Sequence, residues 1–198
     1  LGMKASAKKV YGNDGLEGKR VAVQGVGQVG RYLVGHLLKE GADVIIADIN
    51  EDNIKATLAL GSCQVVPPDA VYDQEMDIYA PCALGATLSE ETIPRLQCSI
   101  IAGGANNQLK DEVEDVKRLQ ARDILYAPDF LINSGGVINC YIEVIGEYNR
   151  VKAFEGCERI YSRTEETLHY ASTHGVSTQD AALALAQERI DKAKKLTE

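Results

Sequence analysis

Short apolar runs alternate with amphipathic stretches as far as about residue 126, and a longer helical periodicity then takes over. Residues 21–24, 43–48, 64–66, 77–82, 99–102 and 123–126 read as strands. Most are apolar at consecutive positions, the mark of strands buried on both faces of a parallel sheet. Between them, 28–40, 51–60 and 112–122 read as helices. The first has Val29, Leu33, Leu37 and Leu38 on one side and Gly41 at its C-terminal end, and Gly61 stops the second. Pro67-Pro68-Asp69 punctuates the third strand, and Ser89 is placed to cap a short helix through Thr92, before Pro94. At the front, residues 1–10 are helical until Tyr11-Gly12-Asn13-Asp14-Gly15 breaks the pattern.

Strands and helices alternating at this spacing predict an α/β fold of the Rossmann type: a doubly wound, mostly parallel sheet covered on both faces, with a C-terminal helical appendage. The appendage begins with an apolar helix over 136–148 carrying Val137, Ile138, Tyr141, Ile142, Val144 and Ile145. A helix over 153–173 places Ile160, Thr164, Leu168 and Ala171 on one face. After Gly175 comes another, with Ser177 and Asp180 as a relative of the capping box. Its apolar stripe is Ala182, Leu185, Ala186, Ile190 and Ala193, and Lys192, Lys194 and Lys195 suit its C-terminal end. The expected division is 1–15 as a helix entering from an upstream domain, 16–140 as the sheet domain and 141–198 as the helical tail.

Composition narrows the function. A formal net charge of −8 without any basic block argues against a nucleic-acid partner. Neither a signal peptide nor a membrane-length apolar run is present. Cys63, Cys82, Cys98, Cys140 and Cys157 are scattered and odd in number, as expected of reduced thiols in a cytoplasmic protein. His36, His169 and His174 share no metal-ligand spacing with them, so no metal is expected.

The chemistry gathers at strand ends, where open α/β sheets bind ligands. The first strand runs into Gly25-Val26-Gly27-Gln28-Val29-Gly30 and then into a helix. In a dinucleotide-binding turn, the first glycine makes the tight bend and the second lets a pyrophosphate approach the backbone. The third lets the helix sit close on the strand. Asp48 ends the second strand, with Ile49 after it. A carboxylate there accepts both ribose hydroxyls and repels a 2′-phosphate, which favours NAD over NADP. Pro81-Cys82-Ala83-Leu84-Gly85, Gly103-Gly104-Ala105-Asn106-Asn107, Asp129 and Asn133-Ser134-Gly135-Gly136 end later strands. At least one of Asn106 and Asn107 is expected to bond a ribose hydroxyl or a carboxamide. Cys82 has no histidine beside it and is not expected to be a nucleophile. Asp123 and the acids of 112–115 read as a solvated face.

Leu16 to Gly25, Ala47 to Asn50, Ala80 to Gly85, Ile101 to Leu109 and Tyr126 to Asn139 follow one another in an order that resembles the NAD-binding half of the glutamate/leucine/phenylalanine/valine dehydrogenases. The resemblance implies reversible oxidative deamination of a small branched-chain, leucine-like L-amino acid to its 2-oxo acid and ammonium, with NAD as oxidant. It implies that Gly25, Gly27 and Gly30 hold the pyrophosphate and Asp48 the adenosine ribose, with Cys82, Ala83 and Asn106 near the nicotinamide ribose. Val137 would line the substrate pocket, with Cys140 at a second lining position. It further implies a homo-oligomer at full length. The family's catalytic lysines and aspartate lie upstream of anything matching Leu1, so no residue here is expected to be catalytic, and the chain alone should bind NAD without turning over substrate. The alternative kept open is a non-catalytic NAD-sensing or interaction module on the same fold. A 2-hydroxy-acid dehydrogenase is disfavoured, because it needs a histidine near the cleft.

Overall fold

The computed structural model describes residues 1–146 and 148–195. A helix, α1 (Gly2–Tyr11), leads into β1 (Arg20–Gln24), α2 (Gln28–Lys39), β2 (Asp43–Ala47), α3 (Glu51–Leu58) and β3 (Gln64–Val65). The chain then crosses to the far side of β1 and adds β4 (Ile78–Pro81), β5 (Ile100–Ile101), α4 (Glu114–Gln120) and β6 (Leu125–Tyr126). The sheet has six strands in the order β3-β2-β1-β4-β5-β6, and every pairing among the described strands is parallel. This is the doubly wound Rossmann-type sheet that the alternating pattern predicts. Strand order reverses between β1 and β4, which leaves a crevice beyond their carboxyl ends.

Side chains alternate between two cores with the period of two that a strand imposes. Val21, Val23, Val44, Ile46, Ile78, Ala80 and Ile100 face one core, which α1 and α2 close with Met3, Ala7, Val34 and Leu37. Ala22, Ile45, Ala47, Tyr79 and Ile101 face the other, closed by Val71, Leu88, Leu96, Leu119 and their neighbours. Because both faces are covered, the strands read as continuous apolar runs.

Several local expectations are corrected. On α2 the buried residues are Gly30, Val34 and Leu37, whereas Val29 is 58% exposed. Close helix–strand contact at Gly30 rotates the buried stripe away from Val29. Ser89 does accept from the Glu91 and Thr92 N–H groups, but it closes a turn. The short helix is a 3-10 turn over Ile93–Arg95 with Pro94 inside it. Asp111 accepts from the Val113 and Glu114 N–H groups, so α4 starts later than the pattern suggests. Asp115 is buried, not solvated: it accepts from the Asp111 N–H and from Arg118. Asp123 lies in a turn at φ 54° instead of in the strand.

After β6 the chain is helical: α5 (Asp129–Ile132), α6 (Gly135–Val144), α7 (Arg150–His174) and α8 (Thr178–Lys195). The helix expected over 136–148 stops at Val144, and Glu147 lies outside the described residues, as do 196–198 of the expected tail. None of the residues of α6 is buried, despite its apolar character. On α7, Ile160, Thr164, Leu168 and Ala171 are buried as expected. Helix α7 lies along α1, joined by Lys8–Glu165 at 2.7 Å and by Lys9 Nζ to Ser172 Oγ at 3.3 Å. Ser177 caps α8, its Oγ accepting from the Asp180 N–H and donating to the Asp180 carboxylate, and Thr178 Oγ1 donates to the Tyr126 carbonyl on the edge strand. The α8 stripe holds only through Leu185. Ala186, Ile190 and Ala193 are exposed, because the helix runs on past the body it packs against. Among the described residues no helix is long and apolar enough to cross a membrane.

This packing makes two apolar truncations unequal. Leu37→Ala should cost about 2–5 kcal/mol and Ile190→Ala no more than about 0.5 kcal/mol. Urea denaturation measures both, and similar losses at the two sites would contradict the burial described.

Candidate functional site

The crevice is built from the loops after β1, β2, β4 and β5. Gly25, at φ 89°, makes the bend that follows β1, and its N–H donates to the Ala47 carbonyl at 2.7 Å. A Cβ there would lie 2.6 Å from the Ala83 backbone nitrogen. At Gly30 a Cβ would overlap the Gly25 carbonyl oxygen, so α2 meets the bend more closely than any other residue would allow. Gly27 differs from both. It is the N-cap of α2, and a Cβ there would meet no protein atom within 4 Å. The space beside it opens on the crevice. No side chain caps α2, and its first turn holds no acid. Its leading N–H groups, with the positive end of the helix dipole, are therefore directed at whatever occupies that space. A pyrophosphate matches this cradle in charge and in its need for close backbone approach.

Asp48 is half-buried at the end of β2. Its Oδ2 accepts from the Val26 N–H at 2.7 Å and its Oδ1 from the Asn50 N–H at 2.8 Å. The carboxylate thus ties the glycine turn to the second strand; Asn53 Nδ2 also donates to its Oδ2, at 3.4 Å, and Oδ1 keeps a lone pair that can accept from a hydroxyl. Asn50 in turn caps α3 through the Asp52 and Asn53 N–H groups. Ile49, next to Asp48, is 91% exposed and lies along the outer wall.

Across the strand-order reversal, the loops after β4 and β5 are laced together. The Cys82 N–H donates to the Gln24 carbonyl, the Ala105 N–H to Pro81 and the Ala86 N–H to Asn107. Asn107 sits at φ 51°. Asn133 Nδ2 donates to Asn106 Oδ1 and to the Ala105 carbonyl, so two residues singled out from different stretches meet. Val29, exposed at the head of α2, lies against Gly104 and narrows the crevice there. Asp129, which its strand-end position marked as of interest, is a buried brace: it accepts from the Gln108 and Phe130 N–H groups. Gln28 is exposed at the head of α2. Val137 and Cys140 are exposed one turn apart on α6, on a face that nothing covers among the described residues.

Sequence reading passed over Gln108, a fully buried amide behind the β5 loop, because a glutamine after two asparagines looks like a surface loop. It also passed over Gln24, whose side chain bonds both Tyr72 and Tyr79 beneath the turn. No sequence signal marks either one.

Cys82 touches the crevice, but burial pushes its thiol up to about 11, against a weaker opposing pull from the Gly104 N–H that it accepts at 3.4 Å. It is therefore protonated at neutral pH, which agrees with its having no nucleophilic role.

Fold, glycine cradle and strand-end acid together define a nicotinamide-dinucleotide-binding domain. The profile of the Glutamate/Leucine/Phenylalanine/Valine dehydrogenase family matches residues 46–197, and the chain belongs to that family of amino-acid dehydrogenases. It is 48% identical over 194 residues to the leucine dehydrogenase of Thermoactinomyces intermedius, covering 98% of this chain and 52% of that protein. The crystal structure of L-tryptophan dehydrogenase from Nostoc punctiforme superposes with a TM-score of 0.93 at 42% identity, over 96% of this chain and 58% of that one. A hetero-hexameric glutamate dehydrogenase from Thermus thermophilus, in a Leu-bound form, gives a TM-score of 0.77 at 26% identity, over 100% of this chain and 53% of that one. The chain spans about half the length of the curated relatives it matches.

Two predictions come from this geometry. Gly27→Ala should leave the unfolding midpoint nearly unchanged yet weaken NAD binding at least about tenfold, whereas Gly30→Ala should lower the midpoint itself. Thermal scans and calorimetry separate the two effects. During iodoacetamide labelling at pH 8, where only about a thousandth of Cys82 is thiolate, exposed Cys140 should be modified well before Cys82. Peptide mass spectrometry gives the order, and early loss of Cys82 would refute its protected state.

Proposed function

We propose that this chain is the cofactor half of an NAD-dependent dehydrogenase that interconverts a branched-chain, leucine-like L-amino acid with its 2-oxo acid and ammonium. The observation that carries the cofactor assignment is the open space at Gly27 facing the uncapped start of α2, with Asp48 fixed beside it. In this reading Gly25 to Gly30 hold the pyrophosphate, and Asp48, with Ile49 beside it, holds the adenosine ribose. Cys82, Ala83, Asn106 and Asn133 border the nicotinamide end. Bound NAD supplies the hydride acceptor. The residues of this chain orient it, and their fixed backbone donors hold the phosphates without reorganisation.

The substrate assignment rests on two further observations. Several leucine dehydrogenases are 44–48% identical to this chain. Val137 and Cys140, the positions that the family resemblance assigns to the substrate pocket, lie exposed one turn apart on α6 and are apolar or weakly so. In this reading that face of α6 meets a catalytic domain supplied by a longer protein, and residues 1–15, 16–140 and 141–198 are the entering helix, the cofactor domain and the tail. Homo-oligomerisation and a cytoplasmic setting belong to the same proposal.

Calorimetry with NAD and NADP tests the cofactor half. NAD should bind at least about tenfold more tightly, because Asp48 would face the 2′-phosphate, and Asp48→Asn should narrow the gap. Tighter NADP binding would overturn the assignment. The 198-residue chain should form no NADH from leucine and NAD, and measurable turnover would overturn the division of labour.

A further inference from the structure

We propose that Gln108 is a positioning residue for the nicotinamide end of the site: its buried amide sets the shape of the β5 loop that borders the ring. The inference rests on the dinucleotide reading above. Gln108 has no solvent exposure. Its Nε2 donates to the Gly103 and Ala105 carbonyls, at 3.0 Å each, and so clasps the loop from behind. Its backbone N–H donates to Asp129 Oδ2 at 3.0 Å, which anchors the clasp to the start of α5. On the crevice side, Asn133 Nδ2 donates to the same Ala105 carbonyl at 3.3 Å. The loop is held from both sides, and Asn106 stands at its crest, bonded to Asn133.

The other half of the amide distinguishes this role from simple core packing. Gln108 Oε1 is buried and has no hydrogen-bond partner among the described residues. A buried acceptor left unpaired costs stability, so the amide is not explained by its oxygen; what it contributes is its two donors, on the Gly103 and Ala105 carbonyls. An apolar side chain could not hold two loop carbonyls at a fixed separation. The loop lies over β5, on the opposite side of the strand-order reversal from Asp48 and the adenosine ribose. Its shape therefore acts on the nicotinamide half of the ligand and leaves the adenosine half alone.

This gives a split that general destabilisation would not produce. Gln108→Met keeps the length and removes both donors. The variant should bind NAD about tenfold more weakly while binding ADP, which lacks the nicotinamide and its ribose, within about twofold of the unaltered protein. Calorimetry with each ligand gives the comparison. If Gln108→Met fails to fold, Gln108→Asn carries the same test, since its amide falls a methylene short of the two carbonyls. Equal weakening toward both ligands, or no weakening toward NAD, overturns the positioning role. Failure of the unaltered protein to bind either ligand overturns the dinucleotide reading itself, and this inference with it.

Discussion

The structure depends on how closely α2 approaches the bend after β1. At Gly30 no Cβ fits between the helix and the Gly25 carbonyl, and this contact sets the direction in which α2 points. Because the helix is pressed against the bend, its first N–H groups face the crevice, and the stripe of Gly30, Val34 and Leu37 turns inward. Val29 is turned outward, against Gly104. The anion cradle and the narrowing of the crevice thus follow from one steric constraint. The three glycines of the turn are not equivalent in this account. Two are required by the protein's own packing, and at the third a Cβ would meet no neighbouring atom, which leaves room for a ligand.

The two sides of the crevice are held by different means. Beside β2 a single carboxylate, Asp48, ties strand end to glycine turn through the Val26 and Asn50 N–H groups. On the far side a set of amides and carbonyls laces the loops after β4 and β5, with Asp129 and Gln108 behind them and Asn133 on the crevice side.

Much of this was legible in the sequence. Strand positions, the parallel sheet, the glycine turn, the strand-end acid and the α8 cap are all local patterns. Alternation, turn chemistry and capping act over a few residues, so a linear reading captures them. The resemblance to the family rests on five ordered segments, and the match over residues 46–197 agrees with it. The misreadings fell where a residue's surroundings come from distant parts of the chain. Asp115 looked solvated and is buried by its neighbours, and the α8 stripe looked continuous but outruns the body it packs on.

By itself, the sequence determined the fold class, the order of elements and the strand-end loops that border the crevice, because hydrophobic period and turn residues specify these locally. Only the tertiary structure decided what the residues of those loops do for one another. It brought Asn106 to Asn133, turned Asp129 from a possible ligand contact into a brace, and buried Gln108 behind the loop. It also distinguished Gly27 from its two neighbours in the motif. The physical reason is that close approach, burial and hydrogen-bond partnership depend on which strands adjoin. That order places the loops after β4 and β5 beside the turn after β1, although they lie more than fifty residues further along the chain.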